Sequence, residues 1–162
     1  MSVATIVSQS TPPGYSAIAV IRLSGDKSTK IATKLSNKKS VLKHKRAILL
    51  PIFINKRLVD EAIFTAFLSP HSYTGEDVVE ISCHGNMHIC EAIIKETIRL
   101  GAVIAEPGEY TKRAFLNGKL NLLQAESVSL LINAKSIEAV QQQTKNLSGG
   151  VTEKIMQIKE TL

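Results

Sequence analysis

Three side chains of this sequence could together hold an anionic or polar heterocyclic ligand: Arg22, Glu80 and Lys119. A single carboxylate set among apolar neighbours on a strand can accept two hydrogen bonds from a flat, amidine-like edge, such as the ring N–H and amino group of a pterin. Nearby cations then suit a carboxylate tail or a formyl oxygen. The same three residues equally allow a plain arrangement, an internal Arg22–Glu80 salt bridge with Lys119 exposed. A second group, Cys83, His84, His88 and Cys90, has the residue types of a metal site but not its geometry. Zinc needs ligands that converge from a rigid turn. Cys83 falls on the apolar side of a strand, whereas His88 and Cys90 would diverge by about 200° on a helix turning ~100° per residue. No metal site is expected, and the two thiols read as buried. Neither has an obvious activating base on its own face, and no catalytic residue can be named. Phosphate loops of the forms GxxxxGK[ST] and GxGxxG are absent, so this chain has no usual means of binding GTP.

The elements that would position these groups follow from the residue order. Thr5 to Val7 opens a short strand, closed by Thr11-Pro12-Pro13-Gly14. Ser16 to Leu23 is apolar on both faces up to Arg22 and reads as a buried central strand. Arg22, at the end of such a row, needs a carboxylate, a ligand or a route to water. Ser24-Gly25-Asp26 supplies a turn and cap for a helix from Lys27 to Leu35, with Ile31 and Leu35 inward. Ser36-Asn37-Lys38-Lys39 is a loop. Ala47 to Ile54 and Leu58 to Leu68 form a hairpin about Asn55-Lys56-Arg57. Asp77 to Cys83 is a strand with Val79, Ile81 and Cys83 on one face and Val78, Glu80 and Ser82 on the other. His88 to Leu100 is a helix, with Ile89, Ala92, Ile93, Glu96 and Leu100 toward the core and Gly101 as its stop. Ala102 to Ala105 is a last short strand.

Pro107 to Leu131 joins this strand-rich portion to an all-helical tail. Glu109 to Leu116 forms a short helix with an acid at its favourable end, and Asn117-Gly118 breaks it. Lys119 follows the break, one element after Lys112 and Arg113. Helices are expected over Leu120 to Asn133, Ser136 to Leu147 and Thr152 to Leu162, with a kink at Gly149-Gly150. The sequence ends inside an apolar helical pattern (Val151, Ile155, Ile158, Leu162) with no cap, which suggests a truncated helical domain.

The chain of 162 residues is long enough for a proper core and carries a net charge of +6. Arg22 to Arg57 holds eleven Lys or Arg against Asp26 alone. That block could meet nucleic acid, but it lacks interleaved aromatics and reads equally as a solvated basic face. No apolar run approaches the ~20 residues of a membrane span. The amino terminus lacks the basic segment of a secretory signal. Cys83 and Cys90 are too few for a disulfide framework, so a reducing cytoplasm is the simplest location.

PGEYTKRAFLNGKLNLLQAES, from Pro107 onward, resembles the signature of the tRNA-modification GTPase family called MnmE or TrmE. Two further blocks agree in order and spacing, ATIVSQSTPPGYSAIAVIRLSG and SPHSYTGEDVVEISCHGN, and the stretch from Lys27 to Arg57 matches least. The resemblance implies an α+β fold: residues 1 to 118 as a mixed-sheet domain similar to the tetrahydrofolate-binding domain of glycine-cleavage aminomethyltransferase, and 119 to 162 as the beginning of a helical domain. It implies a 5-formyltetrahydrofolate or methylenetetrahydrofolate ligand on Arg22, Glu80 and Lys119, with His84, Arg113 and Asn117 as weaker candidates from the same motifs. GTP, magnesium and potassium would belong to a separate GTPase domain. Homodimerisation through the first domain, an FAD-dependent partner called GidA or MnmG, and modification of position 5 of the wobble uridine in tRNA are implied likewise. A dimerisation scaffold without folate, or a basic tRNA-binding module, are the other expectations. The sequence departs from the family at Gly85-Asn86, where Gly-Gly is usual, and at Gly14-Tyr15-Ser16-Ala17, where Gly-Arg-Gly-Gly is usual.

Overall fold

A computed structural model describes residues 4–37 and 42–149. Lys38 and Lys39 of the expected loop, Gly150 and the expected helix from Thr152 to Leu162 lie outside the described residues. The chain divides into two compact units, the first running to Tyr110 and the second starting at Thr111.

The first unit is a six-stranded mixed sheet with two helices. Its strands are β1 (Ile6–Gln9), β2 (Ser16–Ser24), β3 (Ala47–Ile54), β4 (Arg57–Phe67), β5 (Val78–Gly85) and β6 (Val103–Ile104), in the order β3-β4-β5-β2-β1-β6. Every pairing is antiparallel except that of β1 with β6. The β3–β4 turn is the two residues Asn55 and Lys56, at φ of 51° and 64°. Two successive left-handed residues give the turn twist that matches a right-handed hairpin, and Asn tolerates that region better than most residues. Arg57, expected in the turn, is the first residue of β4, opposite Ile54.

Helices α1 (Ser28–Leu35) and α2 (Met87–Arg99) pack on one face of the sheet. Ile31 and Leu35 from α1 and Ile93 from α2 close over Val7, Ile21, Leu23, Ile52, Phe64, Val79 and Ile81, all fully buried. That one-sided covering corrects the expectation of a β2 strand buried on both faces. β2 is an inner strand, and Ala19, Ile21 and Leu23 are buried, but Ile18 on the opposite face is 61 % exposed. Asp26 does not cap α1: the N-cap position is Lys27, with no side-chain hydrogen bond. Instead Thr5 Oγ1 accepts the Lys27 N–H at 3.0 Å, so the residue just before β1 supplies what the cap does not. On α2 the buried stripe is Cys90, Ile93 and Thr97; Ile89 and Leu100 pack partly against it. Glu96 pairs with exposed Arg99 at 2.6 Å.

Asn86, where the resemblance implied a glycine, has a structural position of its own. It is the N-cap of α2, its side chain accepting from the N–H groups of His88 and Ile89. Gly85, by contrast, has no room for a side chain. A Cβ there would lie 2.1 Å from Ser16 Oγ and 2.4 Å from the Ser16 carbonyl oxygen.

The second unit holds most of α3 (Glu109–Leu116), then α4 (Leu122–Ile132) and α5 (Ile137–Leu147). Asn121 and Gln124 form a capping box at the start of α4, and Ser136 caps α5. Gln124 Nε2 also donates to the Leu147 carbonyl at 2.9 Å, tying α4 to the end of α5. No strand occurs in this unit among the described residues.

Candidate functional site

Arg22 and Glu80 are directly opposed cross-strand partners on β2 and β5, on the sheet face that α1 and α2 leave bare. Register alone therefore brings their Cβ atoms within ~5.5 Å. Arg22 Nε and Nη2 both donate to Glu80 Oε1, at 2.9 and 2.7 Å. The side chains are 27 % and 28 % exposed, so the pair is neither a surface bridge nor a buried one. Both bonds fall on one carboxylate oxygen, and no described residue donates to Oε2.

Two tyrosines flank the guanidinium, Tyr73 with its ring centroid at 5.8 Å and Tyr110 at 5.6 Å. Tyr110, in the first turn of α3, donates its hydroxyl to the Arg22 carbonyl at 2.6 Å and accepts from Ser8 Oγ at 3.3 Å. Burial raises the Tyr110 phenol pKa above its ordinary value, against the opposing pull of Ser8 and Arg22. Tyr73 is carried by the loop before β5. Ser24 Oγ pins that loop to the end of β2 through Thr74 Oγ1 and Glu76 Oε2, both at 2.7 Å.

Further along the bare face the β2–β5 ladder pairs Val20 with Ser82 and Ile18 with His84. His84 is 73 % exposed, yet its Nδ1 lies 2.6 Å from Oδ1 of Asp60, whose side chain is only 5 % exposed. Asp60 also accepts the backbone N–H of His84 on Oδ2 at 2.9 Å and that of Glu61 on Oδ1 at 2.8 Å. It sits where β4 and β5 stop pairing beyond Ile63–Ser82.

Cys83 and Cys90 are both buried free thiols, and Cys83 Sγ donates to the Ala19 carbonyl at 3.5 Å. Burial, then the neighbouring Cys90 and Asp60, pushes the Cys83 thiol up to about 12. Such a group carries almost no thiolate at neutral pH, which suits packing and not nucleophilic attack. His88 is exposed while Cys90 is buried, the divergence their helical spacing demands. Among the described residues no three His, Cys, Asp or Glu converge as a metal cage.

Lys119, Arg113 and Asn117 belong to the second unit. There Arg113 is buried, and Asn117 and Lys119 are exposed. Gly118, at φ of 69°, takes the left-handed turn after α3, and the Lys119 N–H closes on the Ala114 carbonyl at 2.8 Å. Tyr73, Tyr110 and Asp60 were not singled out from sequence. For Asp60 a signal existed: it shares strand parity with Ala62, Phe64 and Ala66, which places a carboxylate on a buried row.

Residues 5–119 match the family described as GTP-binding protein TrmE N-terminus. The chain belongs to this family. The tRNA modification GTPase MnmE of Fervidobacterium nodosum is 45 % identical over 163 residues, covering 98 % of this chain and 36 % of that protein. The proteins of the same name from Aliarcobacter butzleri and Legionella pneumophila are 43 % and 40 % identical, covering 98 % and 100 % of this chain and 35 % and 36 % of theirs. The chain thus spans about a third of the length of these MnmE relatives, and the matched stretch ends at Lys119, nine residues beyond the first compact unit. No helix among its described residues is long and apolar enough to cross a membrane.

Proposed function

We propose that this chain is the part of a tRNA-modification GTPase that holds a tetrahydrofolate one-carbon donor, with Glu80 and Arg22 as its centre. The observation that carries the reading is the one-sided Arg22–Glu80 pair between two tyrosine rings. Arg22 fixes Oε1 and leaves Oε2 for a donor edge of a flat heterocycle. Tyr73 and Tyr110 hold the guanidinium in place and supply aromatic surface beside it. A reduced pterin fits such a donor set, since its ring N–H and amino group present two parallel donors to a carboxylate. Lys119, with Arg113, Asn117 and His84 as further candidates, would serve the remainder of the ligand, where a glutamate tail calls for a cation. When bound, the folate supplies a one-carbon unit; the residues here bind and orient it.

Within the full-length protein this portion would dimerise and act in the cytoplasm with an FAD-dependent partner on the wobble uridine of tRNA. GTP, magnesium and potassium would be held by a separate domain. Calorimetric titration with 5-formyltetrahydrofolate, beside Glu80→Ala, tests the reading. Saturable binding is expected for the native chain and none for the variant. Equal affinity in the two would sink the site.

A second reading has one observation in its favour. A surface cavity of about 420 Å³ is lined by Lys43, Arg46, Ala47, Ile48 and Leu49, within the basic block. It suits a phosphate group of tRNA. A steep salt dependence of tRNA affinity, lost in Lys43→Ala/Arg46→Ala, would favour it.

A further inference from the structure

We propose that the outer edge of β3 takes up an extended, acidic segment of a partner protein as an added strand. The proposal stands apart from the folate reading, and its occupant competes with tRNA for the basic cavity.

β3 ends the sheet, with β4 on one side and no strand of the described residues on the other. Its residues therefore turn their backbone N–H and C=O groups alternately toward β4 and outward. Two contacts outside the ladder fix the alternation. β5 flanks Ala66 on one side of β4, so the Ala66 carbonyl, which accepts the Lys45 N–H at 2.7 Å, points to the β3 side. Glu61 has the opposite parity, and its N–H goes to Asp60 Oδ1 at 2.8 Å and not to β3. Ala62 and Phe64 share the parity of Ala66, so their β3 partners Leu50 and Ile48 face inward. Ala47, Leu49 and Pro51 then face out. Pro51 fits that side, since a residue without an N–H is accommodated on an edge where the group would meet only solvent. What stays open is a row made of the N–H groups of Ala47 and Leu49 and the C=O groups of Ala47, Leu49 and Pro51. Such a row is a template for another strand, and Pro51 ends its donors.

The chemistry beside this row selects the partner. Lys43 and Arg46 line the cavity of about 420 Å³ together with Ala47, Ile48 and Leu49, so the cations and the open row share one hollow. Leu49 is 61 % exposed there. Lys43, Lys45 and Arg46 make no ion pair with another described residue. The β4 residues opposite Ala47 and Leu49 are the uncharged Thr65 and Ile63. An entering strand thus meets positive charge at one end and apolar surface along its side, which calls for carboxylates alternating with apolar side chains. A second copy of β3 does not meet this need. Antiparallel pairing would set Lys43, Lys45 and Arg46 near Lys56 and Arg57 of the other copy, and parallel pairing would set them beside themselves. RNA phosphates would suit the cations, but they accept only and would leave the outward carbonyls to water.

The test is titration of the chain with a capped synthetic peptide of alternating glutamate and valine, followed by amide hydrogen exchange. In the free chain the amides of Ile48 and Leu50 should be protected and those of Ala47 and Leu49 open. The peptide should protect Ala47 and Leu49 and leave the other two as they were. Lys43→Glu/Arg46→Glu should weaken binding by more than about tenfold, and a lysine–valine peptide should not bind. Leu49→Pro removes an outward N–H while sparing the bonds to β4, as Pro51 does two residues on. It should bind the peptide about fivefold more weakly than Leu49→Ala, the value of one neutral hydrogen bond. No binding of the peptide by the native chain overturns the inference. So does binding that leaves the Ala47 and Leu49 amides open, or equal affinity in Leu49→Pro and Leu49→Ala. A single-stranded RNA oligomer run in parallel separates the two occupants: RNA binding that depends on Lys43 and Arg46, with no peptide binding, gives the cavity to RNA and overturns the added strand.

Discussion

Replacing Arg22 by Ala removes an ion pair and two ring contacts at once, and the geometry sets how much each is worth. Surface pairs contribute ~0–1 kcal/mol, whereas breaking a buried pair costs ~3–5 kcal/mol. At 27 % and 28 % exposure the Arg22–Glu80 pair lies between these limits, so its loss should cost about 2 kcal/mol. The rings of Tyr110 and Tyr73, at 5.6 and 5.8 Å, stand near the outer limit of cation–π attraction, which makes them worth ~0.5 kcal/mol each. Arg22→Ala should therefore destabilise the chain by about 3 kcal/mol. Glu80→Ala leaves a partly solvated guanidinium still between its tyrosines and should cost about 1.5 kcal/mol. The double variant should cost little more than Arg22→Ala alone, a coupling of about 1.5 kcal/mol. Arg22→Lys keeps the charge but not the fork that places two N–H groups on one oxygen, and should recover less than half the loss. Equilibrium urea unfolding of the native chain and the four variants measures all of this. A coupling below ~0.5 kcal/mol would mean that the pair is ordered by its surroundings and does not itself hold Glu80 in place.

Gly85→Ala should destabilise the first unit by about 3 kcal/mol, because the added Cβ meets the Ser16 backbone carbonyl as well as its side-chain Oγ, and the backbone cannot swing away; a thermal melt near that of the native chain would show that β2 and β5 can part there freely. The Cys83 thiol gives an alkaline prediction. Its folded pKa is raised above the unfolded value, so above about pH 9 the unfolded chain has released a proton that the folded chain retains. Stability should then fall by ~1.4 kcal/mol per pH unit from about 9 toward the folded value, an effect absent below pH 8. Cys83→Ala should flatten that slope in unfolding curves taken across pH 8 to 11, apart from the smaller share due to Tyr110. An equally steep slope in the variant would contradict the assignment.

Much of the fold was legible because its signals are local. Alternation marked β5 and placed Glu80 on the face opposite Val79, Ile81 and Cys83, and Gly118 broke α3 at Leu116 as its left-handed turn requires. What was not legible depends on partners far along the chain. Nothing in AIAVIRL says that α1 and α2 both lie on one face of the sheet, so Ile18 read as buried although it is 61 % exposed. Asp26 had the right type for a cap, but Thr5, just before β1, already held the Lys27 N–H. The Arg22–Glu80 pairing was foreseen as one of two arrangements, because parity places both residues on one face. Tyr73 and Tyr110 could not be foreseen, since a loop and a helix start meet Arg22 only through the folded sheet.

The position of β2 has a consequence for how the chain is made. One of its edges is matched almost at once by β1, its neighbour in sequence, but the other waits for β5, whose Glu80 follows Arg22 by 58 residues. At ~5–20 residues per second a ribosome needs roughly 3–12 s to synthesise that interval. Throughout it, an apolar hairpin presents a bare row of N–H and C=O groups to other nascent chains. Arg22 is the one charged side chain in β2. Before it meets Glu80, it is the one charge interrupting this half-built apolar edge, and a charge there disfavours pairing with a wrong strand.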